Sequence, residues 1–172
     1  AHFAITAGDD AALLVGTNAL PLFDLKFTGF LGGDVLNFFW DAIPQGGPSF
    51  YGNGAGGLQA DLTSTGGDVW LDVDGADATF NTNNGFNVSL TALNGSIFAR
   101  FSDNWNYDNG GNGINVELNG AGGTANLGFL NLRTIGNDLN GINVVENYNG
   151  TVRVGGERIV SENNLGNGVR LV

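Results

Sequence analysis

The sequence predicts an all-β fold, a parallel β-solenoid of about six coils with a 28-residue repeat and three short strands per coil. Three observations predict it. A glycine followed by alternating apolar and polar residues recurs, and the apolar residue after that glycine falls at Leu58, Phe86, Ile114, Ile142 and Val169, giving intervals of 28, 28, 28 and 27. Repeats with a period of roughly 20–50 residues mark solenoids, propellers or arrays. Within each unit, short runs alternate apolar and polar residues, the period-2 pattern of a strand with one buried face. Composition agrees, since 30 of the 172 residues are Gly and Asn is abundant. Both residues are poor in helix interiors and good in turns.

The first strand of a unit is clearest at Ile114, Val116 and Leu118, which alternate with Asn115 and Glu117. Leu58, Ala60 and Leu62, then Phe86, Val88 and Leu90, repeat that inward set. In the second strand Val69, Leu71 and Val73 alternate with Trp70, Asp72 and Asp74. Its counterparts are Ile97, Ala99 and Phe101, then Ala125, Leu127 and Phe129, with Val152 and Val154 in a last unit shortened by one residue. A weaker third strand falls near Asp77 to Phe80, Leu132 to Ile135 and Arg158 to Ser161. Asn94-Gly95, Gly122-Gly123 and Asn149-Gly150 punctuate the units as turns.

In register, full units start at His2, Phe30, Leu58, Phe86, Ile114 and Ile142, and Val169-Arg170-Leu171-Val172 begins a seventh. The expected organisation is a single solenoid domain over 1–172. Residues 58–172 form its regular coils, and 1–57 are divergent, as an atypical N-terminal cap would be. One unit cannot close a core by itself. Stacked units bury a continuous one and satisfy each other's backbone at about 4.8 Å per coil. Propeller blades need four strands and usually more residues, and glycine at every third position, the mark of collagen, is absent.

Asn84-Gly85-Phe86-Asn87-Val88, Asn112-Gly113-Ile114-Asn115-Val116, Asn140-Gly141-Ile142-Asn143-Val144 and Asn167-Gly168-Val169-Arg170-Leu171 carry a resemblance. Over roughly Gly57 to Val172 the chain resembles the right-handed parallel β-helix proteins, closest in character to bacterial surface and adhesin-type repeat proteins. The resemblance implies right-handed coiling, in line with the preferred hand of parallel crossovers. It specifies architecture far better than activity.

The formal net charge of −11 excludes the basic footprint that nucleic acid demands. It also disfavours anionic membrane surfaces and polyanionic sugars as partners. No stretch approaches 18 apolar residues, so no membrane span is expected. Acidity, low Lys and high Gly and Asn together suggest an extracellular or cell-surface setting.

Candidate functional residues follow from the predicted faces. Trp70 and Phe98 point outward from successive coils, where large aromatics mark interaction sites and stack on sugar rings. Gln59, Asn87, Asn115 and Asn143 form an outward amide column, a second candidate face for a glycan or other ordered surface. Asn84, Asn112, Asn140 and Asn167 are expected to stack as a turn ladder that fixes register. Asp72 and Arg100 fall one coil apart as a surface ion pair. Asp72, Asp74 and Asp77, around Gly75, are the candidate calcium ligands; no other cofactor is expected.

Enzymatic activity is not expected. The single histidine is His2, and the six Lys and Arg residues are dispersed. Asp72 and Asp74 share one face at a spacing compatible with about 7 Å, within the range of inverting glycosidase pairs. Any Asp-x-Asp strand would meet that test. The leading expectation is a structural or adhesive module, either joined to further repeats of a longer chain or assembling head-to-tail. The assembly edge would be Val169, Arg170, Leu171 and Val172 at one end and Phe3 and Ile5 at the other, since an uncovered strand edge is a template for pairing. The alternative is a secreted carbohydrate-active or glycan-binding protein.

Overall fold

The computed structural model describes residues 2–5, 11–15, 23–28, 36–40, 49–52 and 56–172; in the strands before residue 52 only the backbone is described. The strands are β1 (His2–Ile5), β2 (Ala11–Val15), β3 (Phe23–Thr28), β4 (Leu36–Trp40), β5 (Ser49–Tyr51), β6 (Leu58–Ser64) and β7 (Val69–Asp74). They continue as β8 (Asp77–Thr79), β9 (Phe86–Ser102), β10 (Trp105–Tyr107), β11 (Ile114–Ile135), β12 (Ile142–Glu162) and β13 (Val169–Leu171). No helix occurs among the described residues.

Every strand pairing is parallel, and the pairings form three faces of a β-solenoid. The first face stacks β1, β3, β6, the opening stretches of β9, β11 and β12, and finally β13. The second stacks β2, β4, β7 and the middle stretches of β9, β11 and β12. The third stacks β5, β8, β10 and the ends of β11 and β12. The long strands β9, β11 and β12 run through corners, because the ladder to the next coil persists where the chain bends.

The repeat places Leu58 beside Phe86, Phe86 beside Ile114, Ile114 beside Ile142 and Ile142 beside Val169. About four regular turns therefore carry the 28-residue period, rather than six. Ahead of them the stacking remains parallel but the interval changes, with Phe23 beside Leu58 and His2 beside Asp24. Phe23, not Phe30, opens the coil before Leu58. The reason lies in alternation: Phe23, Leu25 and Phe27 repeat the apolar phase of Leu58, Ala60 and Leu62, and register follows that phase rather than a residue count.

The core lies between the three faces. Leu58, Leu62, Phe86, Leu90, Ile97, Phe101, Ile114, Leu118 and Ile142 are fully buried. Phe101 stacks on Phe129 of the next coil at 5.6 Å and on Phe86 of its own coil at 6.5 Å between ring centroids, aromatic packing that runs both along the axis and across the core.

Two corners of each coil use one residue with left-handed backbone. Gly75, Asp103, Asn131 and Arg158 turn the chain from the second face to the third, at φ 63°, 55°, 50° and 54°. Gly52, Phe80, Asp108, Gly136 and Asn163 turn it from the third face back to the first, at φ 64°, 55°, 49°, 71° and 54°. Gly, Asn and Asp tolerate this conformation; Phe80 and Arg158 adopt it against the cost of a Cβ.

Candidate ligand-binding face

The second face carries a groove of ≈ 530 Å³ lined by Trp70, Asp72, Phe98, Arg100, Asn126, Gly128, Arg153 and Gly155. Its geometry follows from strand alternation. Register aligns Trp70, Phe98, Asn126 and Arg153 in one outward column. It aligns Asp72, Arg100, Gly128 and Gly155 in the next. Between the columns the inward residues Leu71, Ala99 and Leu127 close the floor.

Trp70 and Phe98 stack at 4.2 Å between centroids, with planes 21° apart. Trp70 remains 39% exposed, so the pair presents an apolar surface to solvent. Beside it, Arg100 Nε donates to Asp72 Oδ1 at 3.0 Å, and Arg100 Nη2 donates to Asp72 Oδ2. That bidentate pair holds Arg100 against the preceding coil, and the hydrogen bond to Asp72 pushes the guanidinium further toward its charged form. One and two coils beyond Arg100, Gly128 and Gly155 leave a trough where side chains would otherwise stand. A Cβ at Gly155 would meet nothing within 4 Å, and one at Gly128 only the Ala99 carbonyl at 3.9 Å.

The amide column Gln59, Asn87, Asn115 and Asn143 points out of the core yet is not a solvated row. Asn115 and Asn143 are 8% and 6% exposed. Each Nδ2 donates to the preceding coil: Asn143 to Asn115 at 2.7 Å, Asn115 to Asn87 at 2.9 Å, and Asn87 to Gln59 Oε1 at 2.7 Å. Asn84 Nδ2 adds a bond to Asn87 Oδ1 at 3.0 Å, and Arg170 Nη1 one to Asn143 Oδ1 at 3.2 Å. Each of the coil-to-coil bonds is made within the column, and at Asn115 and Asn143 burial covers what the bonds leave over.

The turn ladder forms through Asn84, Asn112 and Asn140. Asn112 Nδ2 donates to Asn84 Oδ1 at 3.1 Å and Asn140 Nδ2 to Asn112 Oδ1 at 2.9 Å; the Asn167 backbone N–H donates to Asn140 Oδ1 at 2.9 Å. A further ladder escaped sequence reasoning. Asn81, Asn109, Asn137 and Asn164 lie at the same spacing, and Asn81 Nδ2 donates to Asn109, Asn109 to Asn137 and Asn137 to Asn164 at 2.8–2.9 Å. Its donors point toward the C-terminus, opposite to the other two. Subtracting asparagine positions would have found it; apolar positions alone could not.

The aspartates disperse. Asp72 is held by Arg100, and Asp74 Oδ1 accepts from Ser102 Oγ at 2.6 Å on the next coil. Asp77 opens β8 beyond the Gly75 corner, on the third face. Burial raises its carboxyl above the ordinary 3.8, opposed by a hydrogen bond from the Trp105 backbone. Among the described residues no three His, Cys, Asp or Glu side chains gather as a metal-holding group. Near Asp77 lies a smaller aromatic cluster, also missed: Trp105 meets Tyr107 edge-on at 6.1 Å, and the Arg133 guanidinium sits 5.6 Å over Trp105.

At the end of the array, Val169, Leu171 and Val172 are 47%, 60% and 57% exposed. Leu171 and Val172 join Val144, Val152 and Val154, with Glu146, around a shallow, mostly apolar hollow of ≈ 390 Å³. At the other end, the backbones of Phe3 and Ile5 pair with Leu25 and Phe27 in β3, and their side chains lie outside the described residues, as does that of His2. No helix of the described residues is long and apolar enough to cross a membrane. Comparison with protein-family models, with curated proteins and with solved structures gives no match.

Proposed function

We propose that this chain is an extracellular adhesive module, a β-solenoid that holds a glycan in the groove of its second face and works by binding rather than catalysis. The Trp70–Phe98 stack carries the reading. An exposed aromatic pair beside polar groups is what a sugar ring needs, an apolar plane for its C–H face and hydrogen-bonding partners at its rim. The acidity, scarce lysine and high Gly and Asn content favour the extracellular setting. Binding is favoured over catalysis because Asp72, the one carboxylate among the groove's lining residues, is held through both oxygens by Arg100. A general acid–base pair needs at least one carboxyl free to meet the substrate.

A glycan array probed with wild type and Trp70→Ala tests this. Losing the Trp70 ring removes apolar burial worth about 1–2 kcal/mol, a roughly five- to thirtyfold loss of affinity. Retention of glycans unchanged by Trp70→Ala would count against the groove. A second reading, head-to-tail association, is favoured by a separate observation: Val144, Val152, Val154, Leu171 and Val172 line a hollow that is apolar but for Glu146, the kind of surface that a neighbouring coil covers.

A further inference from the structure

We infer that the glycan held on the second face carries a single carboxylate, placed at Arg153, with a neutral ring on Trp70 and Phe98. This rests on the glycan reading proposed above and names the chemical class of its ligand. Three features of the groove converge on it.

The first is the state of the arginines. Arg100 is paired with Asp72, Arg158 with Glu157, Arg170 bonds Asn143, and Arg133 lies over Trp105. Among the described arginines, Arg153 alone has no partner, and it stands in the same outward column as the aromatic pair. An unpaired guanidinium in a groove is a fork for a planar carboxylate.

The second is the pair of glycines beside it. Neither Gly128 nor Gly155 has left-handed backbone, and neither is pressed by a neighbour. Turns and close packing, which account for glycines elsewhere in the array, do not apply to these two strand positions. What their lack of side chains does is open a trough alongside Asn126 and Arg153. A ligand seated on Trp70 and Phe98 can continue along the axis there, past the Asn126 amide, to the guanidinium two coils on.

The third is the field of the whole chain. At a net charge of −11 a polyanion is repelled as it approaches, whereas one carboxylate meets one unpaired cation locally. The inferred class is therefore an otherwise neutral oligosaccharide with one acidic sugar.

The test is an array of matched glycans: neutral oligosaccharides such as lactose, singly carboxylated counterparts such as sialyllactose, and polyuronates. It is run on wild type, Arg153→Gln and Gly155→Val, with circular dichroism confirming that each variant is folded. The expected result is a preference of roughly tenfold or more for a singly carboxylated glycan over its neutral counterpart, the size of one charge-assisted contact. Arg153→Gln should reduce binding to the neutral level, polyuronates should bind poorly, and Gly155→Val should reduce binding of the acidic glycan to the neutral level as well. The inference is overturned if wild type holds neutral and acidic partners equally or prefers polyuronates. It also falls if Arg153→Gln keeps the acidic preference, or if Gly155→Val binds as wild type does. Binding of neutral glycans alone overturns this inference and leaves the glycan reading standing; retention of no glycan overturns both.

Discussion

Asn109 shows how much one side chain can hold in this architecture. Its Oδ1 accepts from the Asn81 backbone N–H at 3.1 Å and from Asn81 Nδ2 at 2.8 Å. Its own Nδ2 donates to Asn137 Oδ1 at 2.9 Å and to the Ala78 carbonyl at 3.0 Å. Asn109→Ala removes side-chain hydrogen bonds to both neighbouring coils, at about 1–3 kcal/mol for each buried group left unsatisfied, so its urea midpoint should fall steeply. Asn106 is the control. It is fully buried, and neither its Oδ1 nor its Nδ2 has a partner. Asn106→Leu removes two orphaned atoms at similar size, and stability should stay within about 1 kcal/mol of wild type or rise. Equal losses in the two variants would mean that the ladder contributes no more than shape. Asp77 adds a pH-dependent case. Burial raises its folded pKa, so its contribution is fully present below the ordinary 3.8 and is lost as pH rises through the folded value. Asp77→Asn should therefore melt higher than wild type at neutral pH, with the gap closing below 3.8; thermal melts at both pH values check the sign.

At the scale of the strands, two glycines of the same local sequence character have opposite roles. Gly120 sits in β11 at φ +119°, and a Cβ there would lie 1.9 Å from the Ala92 carbonyl oxygen of the preceding coil. Gly155 sits in β12 with open space around it. Gly120→Ala should cost roughly 3 kcal/mol or more, from backbone strain and overpacking together. Gly155→Val should change stability by no more than about 0.5 kcal/mol. Guanidinium unfolding of the two variants tests both, and a mild Gly120→Ala would mean that the first corner can shift. The strands themselves were legible in the sequence from Leu58 on, because one buried face imposes alternation: Ile114, Val116 and Leu118 are all inward and buried. The corners were less so. Phe80 and Arg158 hold left-handed positions that only the alignment with Gly136 and Gly75 reveals, since neither residue type signals a turn.

For the molecule as a whole, stability is a sum over neighbouring coils, and each coil covers the one before it. The proposed head-to-tail association extends that logic to the hollow beside Leu171 and Val172. Deleting Val169 to Val172 removes the β13 edge and the wall of the hollow. Concentration-dependent sedimentation and filaments in electron micrographs should then be lost; filaments that persist after the deletion would sink the association. The sequence by itself determined the parallel stack, its 28-residue period and the inward apolar set, because repetition and alternation are one-dimensional properties of a chain. It also marked Trp70 and Phe98 as outward neighbours. Only the tertiary structure decided that Phe23 rather than Phe30 opens the coil before Leu58, and that Asn115 and Asn143 are buried by their own ladder. Only there do Gly128 and Gly155 become a trough beside Arg153. The physical reason is that depth and availability depend on what the coils above and below supply, and spacing along the chain carries no record of which groups have already found a partner.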